Sequence, residues 1–91
     1  MPQIRLTILD PTIAREFDVP LGITIIGREL SINLPIPNPQ VSRRHAQLIS
    51  DGQICELVDL GSANGTFIND ERLIPQAPRT LEDGMRLRFG P

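Results

Sequence analysis

The sequence predicts an all-β sandwich. Apolar residues recur with period two in several short runs, and Gly, Pro and Asp punctuate those runs at regular spacing. No 3.6-residue periodicity persists long enough to build a helix. Many short strands at such spacing are the signature of two packed sheets. The 91 residues bound one small domain, near the lower end of sizes that bury an adequate core.

Each element follows in turn. Ile4, Leu6 and Ile8 alternate with Arg5 and Thr7, as in a half-buried strand, and Asp10-Pro11-Thr12 ends it. Ala14 to Val19 reads as a second strand and Pro20-Leu21-Gly22 as a turn. Ile23-Thr24-Ile25-Ile26 is a β-branched run that ends at Gly27-Arg28, and Ile32 to Leu34 is a short strand. Pro35, Pro37 and Pro39 lack amide donors and fix φ, so Pro35 to Pro39 is expected to be a stiff loop leading into Val41-Ser42. His45 to Ser50 and Ile54 to Asp59 form a hairpin around Asp51-Gly52, followed by a loop over Gly61 to Gly65. Thr66 to Ile68 and Arg72 to Ile74 form a second hairpin around Asn69-Asp70. Pro75 to Pro78 is loop and Glu82-Asp83-Gly84 is a turn. Met85, Leu87 and Phe89 then alternate with Arg86 and Arg88.

With three Phe and neither Trp nor Tyr, the core must be aliphatic. The formal charge of −2 argues against bulk nucleic-acid binding, which depends on neutralising many phosphates, yet leaves room for a local cluster that binds one. All nine basic residues are Arg, and compositional bias accounts for that as readily as function does. A single Cys55, inside an apolar run, excludes an internal disulfide and a Cys-based metal cage. No apolar run approaches the roughly 20 residues that span a bilayer, and the N-terminus lacks a signal-peptide core. The chain reads as soluble and cytoplasmic, with no direct membrane insertion.

Val41-Ser42-Arg43-Arg44-His45-Ala46 carries the most information, together with Gly27-Arg28 upstream and Gly61-Ser62-Ala63-Asn64-Gly65-Thr66 downstream. These blocks set a guanidinium, a hydroxyl and a side-chain amide on short polar segments between strands. Phosphate oxygens accept hydrogen bonds, and a guanidinium fork adds charge and geometry. A phosphorylated side chain brings a charge of about −1.5 to −2 and three acceptor oxygens. Phosphopeptide recognition is therefore the leading expectation. Singly, each residue has an ordinary explanation: Arg28 as a surface ion pair with Glu16 or Glu29, Ser42 as a turn residue, Asn64-Gly65 as a hairpin turn. A lone His45 is more often structural than catalytic. Their joint order and spacing carry the signal.

On these residues the sequence resembles the forkhead-associated (FHA) family of phosphothreonine-binding domains. The match runs through Gly27-Arg28, Ser42 to Ala46 and Gly61 to Asn69, with Ile32-Asn33-Leu34-Pro35 and Leu81 to Gly90 as the supporting frame. The resemblance implies a twisted β-sandwich of two antiparallel sheets with ligand loops at one end. It also implies roles: Arg28, Ser42 and Arg43 contact the phosphate, and Asn64 bonds the peptide backbone. Gly27 and Gly65 shape the loops, and His45 buttresses the segment that presents Ser42. A niche for the phosphothreonine methyl would disfavour phosphoserine. Preference at the third residue after the phosphothreonine falls to loops near the site, where Gln40 and the Asn69 to Ile74 region are the candidates.

The chain departs from the family pattern in places. Ala63 stands where many members carry a hydroxyl, and Asp70 follows Asn69 where Gly is common. The family's sheet usually gains one more strand beside the first, whereas the sequence stops at Gly90-Pro91. Either the sheet is short there or residues 1–91 are one domain of a larger protein. In a sandwich without that strand, an unpaired edge over Ile4 to Leu9 would invite self-association.

The enzyme reading has little behind it. There is one His, no Gly-x-Ser-x-Gly elbow around Ser42, no Gly-rich phosphate loop and no metal-binding cluster of carboxylates. Neither a cofactor nor a metal is expected. The expected partner is a phosphothreonine-containing protein in Ser/Thr kinase signalling. The rival class is a phosphate-independent scaffold that binds a protein through a sheet face or edge.

Overall fold

The computed structural model describes residues 4–12 and 14–91; Met1 to Gln3 and Ile13 lie outside the described residues. Ten strands follow one another: β1 (Arg5–Leu9), β2 (Ala14–Asp18), β3 (Gly22–Gly27), β4 (Leu34–Pro35), β5 (Ala46–Ser50), β6 (Cys55–Asp59), β7 (Thr66–Ile68), β8 (Glu71–Arg72), β9 (Arg79–Thr80) and β10 (Arg86–Phe89). They form two five-stranded sheets, β2-β1-β10-β7-β8 and β4-β3-β5-β6-β9. The all-β sandwich is the observed fold, and the described residues contain no helix.

Period-two alternation decides which side chains meet between the sheets. Leu6 and Ile8 of β1 and Leu87 and Phe89 of β10 point inward from the first sheet; Ile26, Leu48 and Leu57 point inward from the second, all fully buried. Burying each such side chain stabilises the fold by about 1.5–3 kcal/mol. Cys55 belongs to this aliphatic core, and burial, helped by the Glu56 charge, raises its thiol pKa and keeps it protonated.

Both sheets are mixed. β1 pairs in parallel with β10 (Thr7 with Arg86, Ile8 with Leu87), and β3 pairs in parallel with β4 (Ile26 with Leu34). The remaining pairings are antiparallel, as expected. Ile4 to Leu9 therefore does not form the open edge that the sequence suggested: β1 lies between β2 and β10. The outer strand is β2, with charged Arg15, Glu16 and Asp18, a composition that discourages strand addition.

Smaller differences follow from tertiary register. Pro35, expected in a loop, belongs to the two-residue edge strand β4, where a missing amide is tolerated. The second hairpin is shorter than Arg72 to Ile74 suggested: its return strand is Glu71–Arg72, Leu73 is buried and Ile74 exposed. Asn69 and Asp70 both have positive φ (46° and 70°), the combination that a tight two-residue hairpin turn requires.

Candidate functional site

β3 and β6 end, and β5 and β7 begin, at one end of the sandwich. Ile26 is paired with Ala46, Ala46 with Asp59, and Thr66 with Phe89. The segments 28–33, 36–45 and 60–65 consequently converge there.

Ser42 is their junction. Its carbonyl oxygen accepts from the Arg28 amide at 2.9 Å. Its amide donates to His45 Nδ1 at 3.0 Å, and its Oγ accepts from the Ala63 amide at 3.1 Å. The hydroxyl proton has no acceptor among the described residues and is available to a ligand oxygen. The neighbouring Glu29 amide donates to the Arg43 carbonyl at 3.3 Å, extending the suture between the two loops. Gly27 permits it: a Cβ there would lie 2.1 Å from the Arg43 carbonyl oxygen and 2.9 Å from that of Ser42. Close backbone approach, rather than left-handed backbone, is what this glycine supplies.

His45, fully buried, ties the Ser42 loop to the 60–65 loop. Its Nδ1 accepts from Ser42, so Nε2 carries the proton and donates to the Gly65 carbonyl at 2.7 Å. The ring meets Phe89 edge to face with centroids 5.7 Å apart. Burial lowers the imidazole pKa; the bond to Gly65 and the Asp59 charge oppose that without reversing it. Gly65 itself adopts φ +90°, a backbone a side chain would strain. Asn64-Gly65 is not a hairpin turn, because the chain passes here from one sheet to the other.

Asp59 builds the 60–65 loop. One carboxylate oxygen accepts the Ser62 and Thr66 hydroxyls at 2.5 and 2.6 Å; the other accepts the Gly61 and Ser62 amides at 3.1 Å each. Burial raises the Asp59 pKa, but these four hydrogen bonds outweigh it and the net shift is downward.

Asn64 points its side-chain amide at Gln40, donating to the Gln40 carbonyl at 2.8 Å and to Oε1 at 3.2 Å. Its Oδ1 has no donor among the described residues. Gln40 is held in turn by Asn38, whose Oδ1 accepts the Gln40 amide at 3.0 Å and whose Nδ2 donates to Asp10 at 3.0 Å. A polar chain thus runs from the β1–β2 turn to Asn64.

On the loops that converge here, neither Arg28 nor Arg43 has a carboxylate partner among the described residues. The ion pairs considered for Arg28 go elsewhere: Glu29 takes Arg44 at 3.5 Å, and Glu16 takes Arg5 at 3.2 Å. Gly27 ends β3, and Arg28, Gln40, Ser42, Arg43, His45, Asn64 and Gly65 all lie on the segments that converge at this end. Asn69 does not join them. It sits in the β7–β8 turn, where its amide donates to the Arg86 carbonyl at 2.8 Å and its Oδ1 accepts the Arg86 amide at 2.9 Å. Asp10, Asn38 and Asp59 are the supporting residues that sequence reasoning missed; Asp10, before Pro11, and Asp59, two residues before Gly61-Ser62, carried local turn signals. Among the described residues no group of three or more His, Cys, Asp or Glu could hold a metal ion.

Comparison with known proteins bears on this arrangement. The family model for the FHA domain matches residues 24–90. The chain is 38% identical over 82 residues to the FHA domain-containing protein FhaA of Mycobacterium tuberculosis, covering 90% of this chain and 15% of that protein. A solved structure from a structural and functional study of phosphothreonine-dependent FHA domain interactions is 34% identical, with a TM-score of 0.80 over 98% of this chain and 88% of that one. The FhaA FHA domain, solved in complex with the intracellular domain of Rv3910, is 36% identical, with a TM-score of 0.76 over 89% of this chain and 86% of that one.

Proposed function

The chain belongs to the FHA domain family, and from that premise we propose that it is a phosphothreonine-dependent recognition module for proteins phosphorylated by Ser/Thr kinases. The observation that carries this reading is the threefold tethering of Ser42. Its carbonyl holds the Arg28 amide, its Oγ holds the Ala63 amide and its own amide is held by His45, so the residues that bear a guanidinium and a hydroxyl donor are anchored to each other and to the loop that carries Asn64. Arg28 and Arg43 supply charge to the phosphate and the Ser42 hydroxyl donates to one of its oxygens. Asn64 Oδ1 accepts from a peptide amide. Nothing in this arrangement cleaves a bond; it is a grip, and the proposed activity is binding without catalysis.

Magnitudes agree. A hydrogen bond to a charged group contributes about 1.5–3 kcal/mol. Three or four at one phosphate, less the cost of ordering the peptide, reach the roughly −8 kcal/mol of a micromolar complex. The module is proposed to work in the cytoplasm. Among the described residues no helix is long and apolar enough to cross a membrane.

The scaffold reading draws on a different surface. Ile23 and Ile49 are cross-strand neighbours on the outer face of the second sheet, 59% and 37% exposed. Exposed Leu21 and Ile54 immediately precede β3 and β6 of that sheet. A degenerate phosphothreonine peptide library, with phosphoserine and unphosphorylated controls, separates the two readings. The phosphate reader binds phosphothreonine peptides at micromolar concentration and loses them in a folded Arg28→Ala variant. A scaffold binds all three sets alike and is impaired by Ile23→Ser instead.

A further inference from the structure

The outer face of the first sheet carries a row of side chains contributed by three adjacent strands: Arg72 of β8, Phe67 of β7 and Arg88 of β10, in register. The Arg88 guanidinium lies 4.1 Å from the Phe67 ring centroid and that of Arg72 5.9 Å from it, so the ring holds a cation from each neighbouring strand. The row reaches the ligand loops at Gly65. A Cβ on Gly65 would lie 2.7 Å from Arg72 Nε and 3.1 Å from its Nη2, so the guanidinium covers the residue next to Asn64. Consecutive Cα atoms are about 3.8 Å apart and an extended peptide advances about 3.3 Å per residue. A ligand backbone held at Asn64 therefore brings its second to fourth neighbouring side chains over this row.

The charges here are poorly compensated. Arg72 makes no ion pair among the described residues; the adjacent Glu71, on the other face of the strand, pairs with Arg79 at 2.5 Å. Arg88 has only Asp70, at 3.8 Å with a side chain 92% exposed, and donates one hydrogen bond to the Gly90 carbonyl. Asp59, at the start of the 60–65 loop, is buried and turned toward Ser62 and Thr66. A chain of net charge −2 thus presents two cations side by side, next to its ligand loops. With guanidinium groups already over the ring, Phe67 offers no free platform for a stacked base, and the chemistry that fits is an anionic side chain.

Building on the phosphothreonine reading, we propose that Arg72 and Arg88 form a shelf for acidic residues flanking the phosphothreonine, so that the preferred ligand carries Glu or Asp two to four residues away. A second phosphorylated residue shares this chemistry and is tested in parallel.

The experiment measures affinities of phosphothreonine peptides in which Glu, Gln or phosphoserine is walked through those positions on both sides, at low and high salt. Wild type is expected to prefer Glu over Gln by about fivefold at one or two neighbouring positions, an advantage that shrinks with salt. In Arg72→Gln and Arg88→Gln, checked for unchanged thermal midpoints, that ratio falls to near one. Arg15→Gln, which removes the same charge from β2, keeps it. Preference for phosphoserine with none for Glu would reassign the shelf to a second phosphate and overturn the carboxylate proposal. Phosphate-dependent binding with a Glu-to-Gln ratio near one throughout, or a ratio that survives in both shelf variants, overturns the shelf alone. Equal binding of phosphorylated and unphosphorylated peptides overturns the phosphothreonine reading beneath it.

Discussion

His45 Nε2 donates to the Gly65 carbonyl oxygen at 2.7 Å, and together with the bond from the Ala63 amide to Ser42 Oγ it ties the Ser42 loop to the 60–65 loop. With Nε2 protonated, Nδ1 is free to accept the Ser42 amide. A neutral imidazole satisfies both ends; a protonated one cannot, because Nδ1–H would face Ser42 N–H.

The first prediction concerns pH. Burial lowers the His45 pKa, so below the ordinary value of about 6.5 the unfolded chain takes up a proton that the native state refuses. The contribution is fully present above that value and is lost as pH falls from it toward the folded pKa. Urea midpoints measured from pH 7.5 downward should decline in this window for wild type and stay level for a folded His45→Gln. The same substitution should loosen the Ser42 loop, seen as faster amide exchange at Ser42 and Ala63.

Gly27→Ala should damage binding more than its size suggests. The new Cβ would sit 2.1 Å from the Arg43 carbonyl oxygen, and either β3 or the Ser42–Arg43 segment must move. Overpacking of this kind costs about 1–3 kcal/mol in stability. Phosphopeptide affinity should fall at least tenfold in the folded fraction. At Gly84, where a Cβ would meet nothing within 4 Å but φ is +86°, Ala should cost about 1 kcal/mol and leave binding intact. Denaturation and titration of both variants check the contrast.

Asn38→Ala removes a buried side chain together with its hydrogen bonds to Asp10 and to the Gln40 amide. Stability should drop by about 1–3 kcal/mol. Affinity should fall as well, because Gln40 is the support for Asn64. A denaturation curve and a peptide titration on the same variant read both effects.

Asp59 sets the acid limit of the 60–65 loop. Its pKa is held below the ordinary carboxylate value, so its stabilisation is present above about pH 3.9 and is lost as pH falls through the folded pKa. Asp59→Asn should lower stability by about 2–3 kcal/mol at neutral pH. It should also flatten the loss of stability below pH 4, as followed by urea midpoints.

The parts of this molecule legible in the sequence are those encoded locally. Alternation at Leu6 and Ile8 and at Leu87 and Phe89 announces strands and their inward faces. Short polar blocks at Arg28, Ser42 and Asn64 announce loops with donors. Two-residue strands such as Leu34–Pro35 and Arg79–Thr80 carry no period of their own and exist because a neighbouring strand offers a register. The parallel pairing of β1 with β10 joins segments about 80 positions apart, a distance no local pattern reports. The chain from Asp10 through Asn38 and Gln40 to Asn64 was hidden for the same reason, as was the seat of Arg72 over Gly65. Each residue there is an ordinary polar residue until the fold assembles them.

The most direct test is an amide NMR titration of the domain with one peptide in phosphothreonine and unphosphorylated forms. Phosphate recognition at the Ser42 junction predicts that the phosphorylated peptide alone shifts Arg28, Ser42, Arg43, Ala63 and Asn64. Equal responses to both peptides, or shifts confined to Ile23 and Ile49 on the outer sheet face, would contradict it.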